Sequence, residues 1–186
     1  MGTPYRIPDY SVGILVVSDT VYRGEKTDLS GVNLEQLLKS QQLFHVASVL
    51  QHCVPDSIPE IQSVLKQWSD EKHIDLIFTV GGTGFSPRDV TPEATKGVIE
   101  REAPHLSSHM ILGCCQKSKF AVLSRSVSGM RGQTLIVNLP GSIKASRECL
   151  EMIASILPHA VDQLKSENEK VAADHKIIQG SFAGSK

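Results

Sequence analysis

The chain has 186 residues, 40% of them hydrophobic, and a formal net charge of -1. That length fits one domain with a core large enough to need no covalent staples. The balanced charge argues against a nucleic-acid partner, the opening MGTPYRIPDY has no apolar leader, and no run is long enough to cross a bilayer.

The first predicted element is VGILVV at 12–17, a continuous apolar run of the kind found in strands covered on both faces. A polar, turn-rich loop, SDTVYRGEKTDLSG, follows it. Leu34, Leu37 and Leu38 then recur at helical spacing, which predicts a helix opening at Ser30. FHVASVLQHCV at 44–54 reads as a second strand ending at Pro55-Asp56. Asp56 is placed to cap a helix over 57–72, where Ile58, Ile61, Val64, Leu65 and Trp68 supply the apolar stripe. IDLIFTV at 74–80 is the third strand, terminated by GGTG.

Thr91-Pro92-Glu93 predicts another helix start, with Thr91 as N-cap. This helix is expected to reach about Glu102, to break at Ala103-Pro104 and to resume through LSSHMILG. Two short strands, 120–125 and 134–139, are expected around a glycine turn. Ser142 opens a last helix running to Leu164, and residues 166–186 read as a tail or the start of a linker. Residues 1–10 form an N-terminal extension, leaving 11–165 as the folded domain.

Strands alternating with helices predict an α/β fold, a mostly parallel sheet sandwiched by helices. Ligands in such folds bind at the carboxyl ends of strands. The loops to inspect therefore begin at Ser18, Pro55, Gly81 and Asn138. Gly81, Gly82 and Gly84 let another group approach the backbone, and exposed amides near a helix start attract phosphate. The same cluster also suits a plain strand-to-helix turn; it is neither a Walker A motif nor GxGxxG.

The charged candidates carry the same two readings. Asp89 sits on a loop stiffened by Pro87 and Pro92, either as a surface partner of Arg88 or as a metal or substrate ligand. Asp56 caps its helix, or acts in chemistry, or both. Ser18 and Asp19 end the first strand, and Ser142 repeats the theme of glycine followed by a hydroxyl at a helix start. Arg125 and Arg131 are either phosphate partners or surface charge. The seven histidines show no ligand spacing, which argues against zinc, and the four cysteines form no CxxC. They read as reduced thiols, with Cys114-Cys115 lacking a basic neighbour that would make a nucleophile.

In order along the chain stand VSD at 17–19, PD at 55–56, GGTGFSPRDVTPEAT at 81–95, EREAP at 100–104, SR…GMRG at 124–132 and NLPGS at 138–142. Together they resemble the molybdopterin adenylyltransferase family, which includes MogA-like enzymes and the N-terminal G domains of animal and insect gephyrin-like proteins. The resemblance covers roughly residues 10–165. It implies a MogA-like molybdopterin-binding fold and transfer of AMP from ATP to the terminal phosphate of molybdopterin, with release of pyrophosphate.

The resemblance further implies Mg²⁺, a homotrimer and a downstream molybdate-insertion domain, fused or separate; the cytoplasmic setting is read from the reduced cysteines. Carried over residue by residue, it assigns Asp56 and Asp89 to catalysis and to the metal. It assigns Ser18, Asp19, Gly81, Gly82, Thr83, Gly84, Thr91, Pro92, Glu93, Ser124, Arg125, Gly129, Asn138, Pro140, Gly141 and Ser142 to substrate or nucleotide. Val80 departs from the family's frequent threonine, and the loop after Asp19 matches least. A trimeric scaffold domain and a nucleotide-binding module without turnover are the alternatives to an enzyme.

Overall fold

A computed structural model describes residues 9–165. Of the expected extension over 1–10, residues 1–8 lie outside the described residues and Tyr10 already belongs to the first strand; the tail over 166–186 also lies outside the described residues. The sheet has six strands in the order β2-β1-β3-β6-β5-β4. Strands β1 (Tyr10–Val17), β2 (Val46–Val54), β3 (Leu76–Val80) and β6 (Thr134–Leu139) run parallel, and β5 (Ser128–Arg131) is antiparallel to both β6 and the short β4 (Arg101–Glu102).

Alternation along the strands divides the core between two faces. Val12, Ile14, Val16, Phe78 and Val137 pack with α2 (Ser30–Lys39), α5 (Pro104–Cys115), α6 (Ile143–Ile153) and α7 (Leu157–Leu164). Leu15, Val17, Ile77 and Ile136 pack on the other face with α3 (Ile58–Lys66) and α4 (Thr91–Lys96). The fold is thus the expected α/β sandwich. Each fully buried side chain of this kind contributes about 1.5–3 kcal/mol relative to exposure. At Gly13 an added Cβ would lie 2.5 Å from the Trp68 ring, so the missing side chain gives the indole its place over the sheet.

Several local expectations are corrected. A short helix, α1 (Asp19–Tyr22), occupies the start of the predicted loop, with Ser18 as its N-cap. α2 opens at Ser30 as expected; Leu29 is its N-cap residue, and Asp28 just before it accepts the Gly31 amide on Oδ1 at 2.8 Å. Ser57 is the N-cap residue of α3, which continues as a π turn (Gln67–Glu71), so Asp56 is released from capping. Thr91 is the first residue inside α4 and not its cap. That helix stops at Lys96, because the chain turns to pair β4 with β5.

The predicted strand over 120–125 is a 3-10 turn, Lys119–Leu123. Its slot beside β6 is taken by Ser128–Arg131, where Gly129 allows the Arg101 carbonyl to approach within 2.6 Å of a Cβ position. The last helix divides into α6 and α7, since Pro158 in the first turn of α7 has no amide to continue the ladder.

Candidate functional site

Four of the strands end on one edge of the sheet, and their loops meet there. Gly81 follows β3 with φ +106, and an added Cβ would lie 2.4 Å from the Val17 carbonyl. Gly82 has φ +62, with the Thr91 Oγ1 at 2.4 Å from its virtual Cβ. Both conformations disfavour a side chain, so the loop passes directly over the β1 end. Thr91 donates its hydroxyl to the Gly81 carbonyl at 2.8 Å, pinning the loop to the start of α4. From the β6 side, Gly141 comes against Gly81, and its carbonyl accepts the Ser30 hydroxyl at 2.7 Å.

These glycines form the wall between two cavities. One, of about 490 Å³, is bounded by Thr83, Gly84, Ser124 and Pro140, with Ile111, Phe120, Ala121 and Leu123 as its apolar side. The other, of about 560 Å³, is lined by Ser18, Thr20, Lys26, Asp28, Ser30 and Asp56. Gly82, Asp89, Gly141 and Ser142 border both. The result is a cleft with one apolar lobe and one polar lobe, joined at a glycine wall that carries a carboxylate.

Asp89 is held there by a bond from the Gly84 amide to its Oδ2 at 2.6 Å. The Asp19 amide donates to Asp56 Oδ2 at 2.8 Å, and the Asp56 amide to Asp19 Oδ1 at 3.1 Å. Arg88 pairs with Asp19, at 2.5 Å from Nη2 and 3.1 Å from Nε, and not with Asp89. That hydrogen bond holds the Asp19 carboxyl below its usual range. Burial pushes Asp56 above it, and the charges of Asp19 and Asp89 add to the rise.

Of the residues singled out from sequence, Ser18, Asp56, Gly81, Gly82, Thr83, Gly84, Asp89, Ser124, Pro140, Gly141 and Ser142 all line the cleft. Asp19 lines neither lobe and is joined to the cleft through its hydrogen bonds with Asp56. Thr91 and Pro92 are buried beneath the glycine loop. Glu93 and Arg125 form an ion pair on the loop's outer side, bordering a separate cavity. Asn138 is buried in the sheet, donating to Thr79 and Thr95 hydroxyls at 2.8 Å each, and Gly129 lies within β5. Arg131 is spent on Asp70, with two contacts of 2.8 and 2.6 Å at the opposite end of the sheet. Cys114 and Cys149 lie 3.3 Å apart in the apolar lobe, and burial pushes the Cys149 thiol up, which opposes a nucleophilic role.

Sequence reasoning passed over Thr20, Lys26, Asp28, Phe120 and Leu123 as cleft residues. The rule that strand ends build sites pointed to the Thr20–Asp28 stretch, which directly follows β1. Phe120 and Leu123 carried no such signal, because their apolar pattern equally suits a strand.

Among the described residues no set of three His, Cys, Asp or Glu side chains could hold a metal. Asp56 and Asp89 nevertheless fit a hard divalent ion. Magnesium is commonly bound by one or two carboxylates together with substrate phosphates. Burial is the main cause of the rise at Asp56, and the charges of Asp19 and Asp89 that add to it are the excess such an ion would relieve. No helix among the described residues is long and apolar enough to cross a membrane.

Comparison with known proteins agrees with this architecture. The Molybdenum cofactor synthesis protein cinnamon of Drosophila melanogaster is 43% identical over 169 residues, covering 91% of this chain and 28% of that protein. Gephyrin of Dictyostelium discoideum is 40% identical over 86% of this chain and 23% of its own length. The chain thus spans about a quarter of the length of these relatives. A molybdopterin adenylyltransferase of Helicobacter pylori is 38% identical, over 81% of this chain and 85% of that enzyme. The crystal structure of the molybdopterin biosynthesis enzyme MoaB from Thermus thermophilus superposes with a TM-score of 0.77 at 46% identity, covering 85% of this chain and 98% of that one. The family profile described as "Probable molybdopterin binding domain" matches residues 13–159, and the chain belongs to that family.

Proposed function

We propose that this chain transfers AMP from ATP to the terminal phosphate of molybdopterin, yielding adenylyl-molybdopterin and pyrophosphate. The observation that carries this reading is the two-lobed cleft whose lobes share Gly82, Asp89, Gly141 and Ser142. A reaction between two phosphorylated heterocycles needs one pocket for each ring system and one place where their phosphates meet. The relative from Helicobacter pylori, named for this activity, aligns across most of its own length.

The attacking phosphate is already ionised at neutral pH, so no strong general base is required. What the protein supplies is alignment and charge compensation. Gly82 and Gly141 let phosphate oxygens approach the backbone closely, and Ser142, at the start of α6, offers a hydroxyl there. Asp89 and Asp56 would hold Mg²⁺, which supplies screening of the phosphate charges when bound. Ser18, Thr20 and Lys26 would position the ligand in the polar lobe, and Phe120 and Leu123 would cover an aromatic ring in the apolar lobe.

The functional unit is proposed as residues 11–165, in a cytoplasmic setting, handing its product to a molybdate-insertion domain on the same or another chain. A relative from Chlorobaculum tepidum is named a molybdenum cofactor biosynthesis bifunctional protein. A homotrimer, serving also as a scaffold, is the accompanying proposal. Its support is the exposed apolar set Leu112, Phe120, Val122 and Leu123 on α5 and the turn after it.

The test is pyrophosphate release by the purified chain with ATP and Mg²⁺. Release that requires molybdopterin supports the transfer, and release at the same rate without it points to simple ATP hydrolysis.

A further inference from the structure

Arg125 was expected to bind substrate, yet its guanidinium is committed elsewhere. Nε donates to the Gly84 carbonyl at 2.7 Å, Nη2 donates to the Asp89 carbonyl at 2.6 Å, and Nη1 pairs with the Glu93 carboxylate. The Arg125 main-chain amide adds a bond to the Thr83 carbonyl at 2.8 Å. We infer that Arg125 is a positioning residue, which fixes the loop from Thr83 to Asp89 and so sets the direction of the Asp89 carboxylate.

Gly84 and Asp89 are the two residues whose own contact, Gly84 N–H to Asp89 Oδ2 at 2.6 Å, defines where that carboxylate points. Arg125 grips the carbonyls of the same pair from outside. One planar fork therefore spans the two ends of the turn, a task for which a lysine ammonium has neither the geometry nor the number of fixed donors. Glu93, on the first turn of α4, holds the third corner and ties the fork to a helix anchored in the core. Arg125 borders the cavity on the loop's far side, with Phe85, Pro87 and Val90, and lines neither lobe of the cleft. A substrate phosphate in the cleft would have to draw the guanidinium away from three contacts to reach it.

The inference rests on the adenylyltransferase reading for its catalytic consequence but not for its structural one. Arg125→Lys keeps the charge and loses the fork, and Arg125→Met loses both. A positioning role predicts that the two variants are equally impaired. Their kcat should fall about 10²-fold, as expected for a reacting group displaced by about 1 Å, with KM for ATP and molybdopterin changed less than about threefold. Hydrogen exchange of the ligand-free protein should quicken at residues 83–90 in both variants and stay unchanged in β1 and β3. Glu93→Gln, which leaves the arginine in place, should move exchange in the same segment in the same direction by less.

Activity retained by Arg125→Lys, with a raised KM in Arg125→Met and unaltered exchange at 83–90, would overturn the inference and return Arg125 to the substrate. Absence of product from the wild-type chain would defeat the functional reading instead, while the exchange comparison would still decide whether Arg125 holds the loop.

Discussion

Asp19 and Asp56 exchange main-chain hydrogen bonds, each amide donating to the other's carboxylate at 2.8 and 3.1 Å. The ends of two adjacent parallel strands are thereby locked together by a reciprocal pair of amide–carboxylate bonds. Arg88 pairs with Asp19, whereas Asp56 is pushed up chiefly by burial, with the charges of Asp19 and Asp89 adding to the rise. One carboxyl is held low and the other pushed high, although they are partners in a single motif.

That asymmetry gives a pH prediction. The pKa of Asp56 is higher in the folded than in the unfolded chain, so the folded state binds more protons in the interval between the two values. Stability therefore falls as pH rises through that interval, and the ionised carboxylate is a standing cost above it. Asp56→Asn removes the cost while keeping an oxygen to accept the Asp19 amide. Thermal melting should place this variant above wild type at pH 7, with the gap closing below about pH 4, where both side chains are neutral. A gap that persists at low pH would show that charge is not its source.

Arg88 should behave differently. Its pair with Asp19 is solvent-exposed, so Arg88→Met should cost no more stability than an ordinary surface ion pair contributes, and less at high salt. Urea unfolding at low and high ionic strength measures this directly. A loss well above that limit would mean that Arg88 anchors the glycine loop as a whole.

The two conformations at Gly82 and Gly132 separate strain from crowding. Gly132 has φ +54 with nothing within 4 Å of a Cβ, whereas at Gly82, φ +62, the Thr91 hydroxyl and the Asp56 carboxylate stand in the way. Gly132→Ala should cost about 1–2 kcal/mol, the penalty for a side chain in the left-handed region. Gly82→Ala should cost more and abolish adenylyl transfer, because the displaced neighbours include a proposed metal ligand. Equal destabilisation of the two would contradict the close packing of the loop.

The sheet was legible because its central strands are buried on both faces, and VGILVV and LIFTV state that burial without alternation. The cleft was legible because glycines, prolines and hydroxyls cluster where those runs stop. Motif matching did not distinguish residues that line the cleft from residues that support it. Asn138 belongs to NLPGS, yet its side chain knits β3, α4 and the chain before β5, with Oδ1 accepting the Val127 amide at 3.1 Å. The turn at Lys119–Leu123 escaped because hydrophobicity alone does not tell a strand from a turn whose apolar side chains face outward. Asp28 was passed over because its bonds to Gly31 and Gln51 join a loop, a helix and an edge strand that are distant in sequence.

The central claim is that two substrates meet at Asp89 and that AMP passes between them. The measurement that tests it most directly is the mass of molybdopterin recovered after incubation with the chain, ATP and Mg²⁺, with Asp89→Ala and Asp56→Ala run alongside. The account predicts molybdopterin heavier by one adenylyl group from the wild type. It predicts at least about a 10²-fold lower yield from each folded variant. Molybdopterin that binds the wild-type chain yet returns with its mass unchanged would contradict it.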